Sequence, residues 1–427
     1  MKIDRRQLFQ AAVVSAAATS TAETSQAAQN PSGATNWAAV RKDFPWLESK
    51  LWLSAADYHP ISIHSYRAME EYLKSRAYGP SDESSRQLGR QQTEAKELFA
   101  RLINAKPGEV AFVQSTTDGE NIVVSGMDLA RQNGNIVLDD LAYQSSKFLY
   151  HMLQKEHGFE MRVVRHRSTE GYLNIDRRDM EKAIDRNTKL VTVALVSNIN
   201  GYLHDIRSTS EMAHAHGAYV YGDIIQAAGG TPVDVRAMGI DFASCGAYKW
   251  LMGDFGFGFL YVREDLQDRV VKRSRYGVRQ FTSPNQAQAD SKFDLRPGAA
   301  RYESGSISNI GVAGAHAALK YIHSLGIENI RAHANPLTAR LQKELPAMGY
   351  PALTPPDNPT PIVSFRLPEY EKTAAKLRKI FNGTVVALRR WEFTSDAGEV
   401  SIVRGMRISP SVYNNQEDID LLLNALS

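Results

Sequence analysis

The sequence predicts an α/β protein built on a mainly parallel central sheet, with a smaller α+β domain at its C-terminal end. Three observations carry this. Between residues 109 and 262, short apolar runs alternate with segments of helical periodicity, the rhythm of strand–crossover–strand units. Several runs, such as Leu190–Val196 and Phe242–Ala247, are apolar nearly throughout rather than at every second position, as strands covered on both faces are. Beyond about residue 300 the rhythm gives way to one long apolar helical stretch, isolated strand-like runs and a closing amphipathic segment, which suits segregated helices and strands.

In chain order, residues 1–27 read as a leader rather than as fold. Arg5-Arg6 precedes Gln7-Leu8-Phe9, an alanine-rich stretch follows, and Ser25-Gln26-Ala27 offers a small-x-small cleavage site. This order resembles a twin-arginine export signal, which implies the twin-arginine export machinery as a partner, a periplasmic location and a mature chain from about Ala28. That route carries folded proteins, so it suits one that takes up a cofactor before export. Residues 28–60 form an N-terminal segment. Within it "LWLSAADYHPISIHS" (51–65) starts as a short strand and an entry loop ending at Pro60.

Residues 61–300 are expected to form the large domain. Helices are predicted over 66–78 and 85–104. Strands are predicted at 109–114, 135–139, 159–166, Leu190–Val196, Ala218–Gly222, Phe242–Ala247 and Phe257–Val262, with helices between. Residues 301–427 are expected to form the small domain. It holds a helix over 310–326, strands in "PIVSFRL" (361–367) and "VVALRRW" (385–391), and a final strand, turn and helix from 401. The stretch Pro351–Pro361 reads as a loop.

Composition excludes several function classes. The 427 residues carry 50 basic and 47 acidic side chains, a net charge of +3 without a basic block, so nucleic acid is not an expected partner. No apolar run approaches the ~18 residues of a spanning helix, so no stable membrane anchor is expected. Cys245 is the single cysteine, which excludes an intrachain disulfide and a thiolate metal cluster. His214 and His216 stand two apart on a predicted helix, on different faces, so no metal site is expected. "GDFGFGF" (253–259) leads into a strand instead of following one, the wrong order for a dinucleotide loop.

Open parallel sheets bind ligands at the carboxyl ends of their strands. Those ends here carry Ser115-Thr116-Thr117, Tyr143, Ser197-Asn198, Asp223 with Gln226 shortly after, and Tyr248-Lys249. Pyridoxal 5'-phosphate asks for these residue types. Its aldehyde takes a lysine amine, here Lys249, and its ring nitrogen keeps a proton beside a carboxylate, here Asp223. Its phosphate wants hydroxyls and N–H groups at a helix N-terminus, which Thr116 and Thr117 offer. Its ring wants an aromatic face, which Tyr143 offers. Its phenolic oxygen wants donors, and Asn198 and Gln226 can serve. Asp223 and Lys249 stand one crossover apart, which allows neighbouring strand ends.

The segment "VYGDIIQAAGGTPVDVRAMGIDFASCGAYKWLMGDFGFGFLYVRED" resembles the cofactor segment of the class V aminotransferases, which are fold-type I PLP-dependent enzymes. The resemblance runs from about residue 50 to the C-terminus. It implies a Schiff base on Lys249, a pyridinium partner in Asp223, an O3′ donor in Gln226 and a stacking ring in Tyr143, where desulfurases have histidine. It implies phosphate contacts from Thr117 and Tyr248. Ser306, in "ESGSISN" (303–309), would reach the neighbouring subunit's phosphate, which implies a homodimer. In "MRISPSVYNNQEDID", Arg407 would bind the substrate α-carboxylate, with Asn198 beside it.

The chain also departs from its kin. Desulfurases carry a nucleophilic cysteine before the C-terminal motif, whereas "VVALRRWEFTSDAG" has none. Gly246 stands where they have a phosphate-binding serine, and Gln226 where kynureninases have histidine. The similarity is therefore greatest to the isopenicillin-N-epimerase-like branch, which includes an exported siderophore-tailoring enzyme. The implied activity is that of an exported PLP-dependent transferase acting on the α-amino group of an amino acid or a peptide- or siderophore-borne amino acid, by transamination or oxidative tailoring. The alternatives are an amino-acid epimerase and, behind it, a kynureninase-like lyase.

Overall fold

The computed structural model describes residues 35–282 and 294–427; the expected export leader lies outside them. After a short helix, α1 (Trp37–Lys42), and a 3₁₀ turn (Pro45–Glu48), the chain crosses the molecule without further helix until Ile63. The strand expected at the start of 51–65 does not form. Ser54 makes one parallel bridge to Ser409. A turn closed by the Asp57 N–H on the Ser54 carbonyl, at 2.9 Å, then takes the chain away. Two helices follow, α2 (Ile63–Tyr78) and α3 (Asp82–Leu102). Each is opened by a serine, Ser62 or Ser81, whose hydroxyl accepts the N–H three residues on and so satisfies a first-turn donor.

The central sheet is built from β1 (Val110–Val113), β2 (Asn135–Asp139) and β3 (Glu160–Val164), then, past a small hairpin of β4 (Arg167–Thr169) and β5 (Tyr172–Asn174), from β6 (Thr188–Ala194), β7 (Tyr219–Asp223), β8 (Phe242–Gly246) and β9 (Gly258–Val262). Its order is β1-β9-β8-β7-β6-β2-β3. Only β9 runs antiparallel to its neighbours β1 and β8; the other pairs are parallel. The crossovers are made by α4 (Thr116–Gly126), α5 (Gln144–His157), α6 (Arg177–Ala183) and α7 (Ile206–Ala215). Alternate strand residues enter different cores. Val137, Val191 and Val220 join one apolar cluster, and Ile136, Leu190 and Tyr221 the other. The near-continuous apolar runs thus have the cause the sequence suggested, burial on both faces.

The C-terminal region begins with α8 (Asn309–Leu325), which packs on α2 and α3, and α9 (Ile327–Ala347). Then come β10 (Val363–Arg366), α10 (Tyr370–Ile380), β11 (Ala387–Thr394), β12 (Val400–Ile408) and α11 (Gln416–Leu426). The three strands form an antiparallel sheet in the order β10-β12-β11. A third apolar cluster lies under it, and Leu53 from the N-terminal segment joins that cluster. The sequence reading did not find α9, because Pro336 and Pro346 lie inside it and proline ordinarily ends a helical pattern.

The turn after β6 is tied to the C-terminal region. Ser364 Oγ donates to the Ile199 carbonyl at 2.7 Å, and Thr360 Oγ1 and Asn358 Nδ2 donate to the Gly201 carbonyl at 2.8 and 2.9 Å. Gly201 has φ +74°, and a methyl group there would overlap the Ile362 carbonyl. Replacing Gly201 with Ala combines left-handed strain with overpacking, and equilibrium urea unfolding should record a loss of about 2–4 kcal/mol. An unchanged midpoint would mean that this turn is not held as described.

Candidate active site

β7 and β8 pair in parallel with Asp223 opposite Ser244. Asp223 is the last residue of β7, and Lys249 lies just beyond the end of β8. Both side chains therefore reach the same edge of the sheet. There they line a cavity of about 510 Å³ together with Thr116, Thr117, Tyr143, Asn198, Gln226 and Tyr248. Eight of the residues singled out from strand ends thus meet in one place.

Burial governs the electrostatics. Lys249 is 7% exposed and Asp223 is 6% exposed. Desolvation brings the Lys249 amine down to about 8; the Arg407 charge adds to this, while Asp223 and Asp57 oppose it. Its Nζ lies 5.8 Å from the centre of the Tyr143 ring and 5.5 Å from that of Tyr248. Asp223 is pushed upward, chiefly by burial. Its Oδ1 accepts the Ile225 N–H at 3.0 Å, and among the described residues no cation stands at ion-pair distance from it. A buried carboxylate without a cation favours any cationic N–H placed beside it.

The other groups are held by their own elements. Ser115 caps α4 by accepting the Asp118 N–H at 3.0 Å, and the N–H groups of Thr116 and Thr117 in that first turn have no intrahelical acceptor. The Thr116 hydroxyl accepts the Gly246 N–H at 2.9 Å, which clasps the helix start to the end of β8. Gly246 is suited to this place, since a Cβ there would stand 3.2 Å from both Ile225 and the Tyr248 ring. Tyr248 stacks on Phe255 at 4.2 Å, and burial raises its phenol to about 12, so at neutral pH it remains an O–H donor. Gln226 accepts from Trp250 Nε1 at 2.9 Å and donates to the Ala56 carbonyl at 3.0 Å; an amide NH₂ has a second proton to give. The Tyr143 ring is 41% exposed, open at the cavity mouth. Asn198 Oδ1 is buried without a partner.

These residues fit pyridoxal phosphate. The helix start with its two threonines and the Tyr248 hydroxyl would hold the phosphate. Tyr143 would cover the ring, Asp223 would face its nitrogen and Gln226 its hydroxyl, within reach of the Lys249 amine.

Two expected residues are not on this cavity. Ser306 lines a separate cleft with Gln114 and Arg275, so a role at a cofactor phosphate requires a second copy of the chain. Arg407 is 3% exposed. It lies behind Asn198, to whose carbonyl its Nη1 donates at 2.5 Å, and it pairs with Asp57. The expected helix histidines carry ordinary partners: His214 Nε2 meets Asp241 at 2.9 Å and His216 Nδ1 the Met212 carbonyl at 3.0 Å.

The sequence reading missed Asp57, Arg389, which also pairs with Asp57, and Glu120. Glu120 sits in α4 and accepts from Ser146 Oγ at 2.7 Å and Tyr150 OH at 2.8 Å. Burial raises its carboxyl to about 7. An acid next to the apolar run Ile122–Val124 was its one available signal, masked by Asp118 two residues earlier in the same helix. Cys245, the single cysteine, is 1% exposed in β8, and burial raises its thiol well above the usual range.

Comparison with known proteins agrees with the geometry. The family model described as aminotransferase class-V matches residues 64–422. A probable cysteine desulfurase of Methanothermobacter thermautotrophicus is 29% identical over 401 residues, covering 90% of this chain and 95% of that protein. An uncharacterized aminotransferase of Bacillus subtilis, YcbU, is 28% identical over 300 residues, 70% of this chain and 76% of its own. The apo structure of a cysteine desulfurase from Thermococcus onnurineus superposes with a TM-score of 0.78 at 25% identity, covering 90% of this chain and 96% of that one. On the extent of the model match, with the lysine–carboxylate rim in place, the chain belongs to the class V aminotransferase family.

Proposed function

We propose that the protein is an exported, pyridoxal-phosphate-dependent homodimer that transfers the amino group of a primary amine, borne on an amino acid or on a peptide- or siderophore-linked residue. The observation that carries this is the buried Lys249 amine facing the cavity that Asp223, Tyr143 and Thr117 also line. Pyridoxal phosphate, when bound, supplies an aldehyde for the substrate amine and a ring that takes up the electron pair left by the departing α proton. The chain supplies the rest. Asp223 holds a proton at the ring nitrogen. Tyr143 and the threonine turn fix the plane in which the amine is presented. Lys249, with its amine brought down to about 8, is half neutral near that pH and so can both accept and return a proton.

Two features favour amino transfer over the chemistry of the desulfurase relatives and over inversion. The sole thiol, Cys245, is sealed in β8 and cannot serve as a sulfur acceptor. Among the described lining residues of the cavity, Lys249 is the single amine, with the Tyr143 and Tyr248 phenols beside it; amino transfer needs only the amine as proton carrier, whereas inversion needs a second group on the opposite ring face. The placement in the isopenicillin-N-epimerase-like branch is supported by this missing thiol and by Tyr143 in the stacking position. Export is supported by the Arg5-Arg6 leader and the dimer by the position of Ser306 away from its own chain's cavity.

Capture of the cofactor by the apoprotein needs a neutral amine. Its rate, followed by absorbance, should climb with pH up to about 8 and level above it; a climb continuing toward 10 would mean an ordinary exposed lysine. Asp223→Asn should keep the cofactor bound while lowering turnover by about 10²-fold or more, and full activity would remove Asp223 from the mechanism. Turnover of an accepted amine should release an oxo product; solvent deuterium entering the α carbon with the amine retained would establish epimerisation instead. A reporter fused to residues 1–30 should reach the periplasm, and cytoplasmic retention would overturn export.

A further inference from the structure

One buried acid stands outside the chemistry of the cavity. Glu120, in α4, is 2% exposed and does not line the cavity. Three hydroxyls serve it. Ser146 Oγ donates to Oε2 at 2.7 Å, and Tyr150 OH and Thr192 Oγ1 donate to Oε1 at 2.8 and 3.3 Å. Burial, and then the Glu120 charge, keep the Tyr150 phenol well above its usual range, so it stays a donor. Among the described residues no cation stands at ion-pair distance from Glu120. After burial, Asp223 is the charge that raises its carboxyl.

Two repeats place Glu120 relative to the cofactor cavity. On α4 it stands four residues after Thr116 and three after Thr117, so it shares their helix face, one turn deeper. On the sheet, Thr192 pairs with Tyr221 and Ala194 with Asp223, and alternate residues of a strand share a face. Glu120 is bonded to Thr192, whereas Ala194 and Asp223 line the cavity. The second acid thus lies one layer below the first, two residues of strand or about 6.6 Å. Gly119 lets α4 come this close, since a Cβ there would fall 2.6 Å from Ser244 Oγ. Ser244 Oγ also donates to the Thr116 carbonyl at 3.1 Å and shares a hydrogen bond with Tyr221 OH, which fixes the helix start on these strands. Burial, Glu120 and Asp223 together raise the Tyr221 phenol. The titratable groups facing Glu120 are therefore Tyr150 of α5 and Tyr221 and Asp223 of β7.

Two acids that repel within a buried layer are coupled to whatever neutralises one of them. A proton-bearing ring nitrogen at Asp223 cancels that carboxylate's repulsion and lets Glu120 carry its charge. By reciprocity, a charged Glu120 stabilises the cationic nitrogen. Resting on the placement of the cofactor's ring nitrogen at Asp223, we propose that Glu120 is a positioning residue for the ring proton, a second carboxylate that acts through Asp223 and favours the cationic ring when the cofactor is taken up. The three hydroxyls give that charge the hydrogen bonds it needs in a place sealed from solvent.

The test refills the cofactor-free, full-length protein with two probes, pyridoxal 5'-phosphate and its analogue with C–H in place of the ring nitrogen. Quenching of tryptophan fluorescence reads half-saturation. The probes share phosphate, aldehyde and hydroxyl, so the ratio of their half-saturating concentrations isolates the ring nitrogen, and comparing proteins cancels the probes' own reactivities. Wild type should prefer the nitrogen-bearing ring. At about pH 8, Glu120→Gln should cut that preference about fivefold or more. The gap between the two proteins should close as the pH falls well below 7, because the Glu120 carboxyl, raised to about 7, then takes up a proton and is as neutral as glutamine. A packing defect alone would not follow pH in this way. Ser146→Ala with Tyr150→Phe removes two donors from the charge while leaving the acid in place, so it should move the pH dependence of the preference upward; it serves if Glu120→Gln folds poorly. A preference unmoved by Glu120→Gln, a reduction equal at every pH, or a pH dependence unmoved by the double variant overturns the proposal and leaves the cofactor placement standing. A wild type that takes both probes equally overturns both.

Discussion

The parallel pairing of β7 with β8 is the constraint on which the rest depends. It sets Asp223 and the residues after Gly246 side by side at one sheet edge, where water is largely excluded. A carboxylate and an amine there are each costly to bury. No ion pair joins them among the described residues; each is bent away from its ordinary protonation by desolvation. That unrelieved cost is what makes the edge receptive to a ligand that is cationic on one side and electrophilic on the other.

The surrounding structure can be understood as support for that edge. β9 returns antiparallel against β8, so the glycine turn after Lys249 brings the chain back into the sheet. The start of α4 is pinned to β8 through Thr116 and Gly246, which ties the anion-binding end of the helix to the lysine strand. The N-terminal segment closes over the same edge: the Ala56 carbonyl fixes Gln226 and Asp57 covers Arg407. The turn carrying Asn198 is held by Ser364, Thr360 and Asn358 from the C-terminal region. Motion of that region would therefore be felt at the substrate end of the cavity.

What could be read from the sequence followed chain order. Lys249, Asp223, Gln226, Tyr143 and the threonine turn each sit at a strand end or helix start, so one-dimensional periodicity placed them. Asp57 could not be placed that way. Its meaning lies in contacts with Arg389 and Arg407, more than three hundred residues along the chain, and in a segment that forms no strand. Arg407 was legible as an arginine by resemblance but not as one already paired. α9 was hidden by its prolines, and Glu120 by the polar first half of its helix, Thr116–Asn121, where a second acid after Asp118 carries no local pattern. Local sequence thus reports the elements and their ends, while long-range pairing decides which charges remain free.

The central claim is that Lys249 is the group that takes the cofactor's aldehyde. Borohydride reduction of the cofactor-loaded protein, followed by proteolysis and mass mapping, tests it most directly. The account predicts one modified peptide, containing Lys249, and no modified peptide from Lys249→Ala. A label fixed on another lysine, or one that persists in Lys249→Ala, would contradict it.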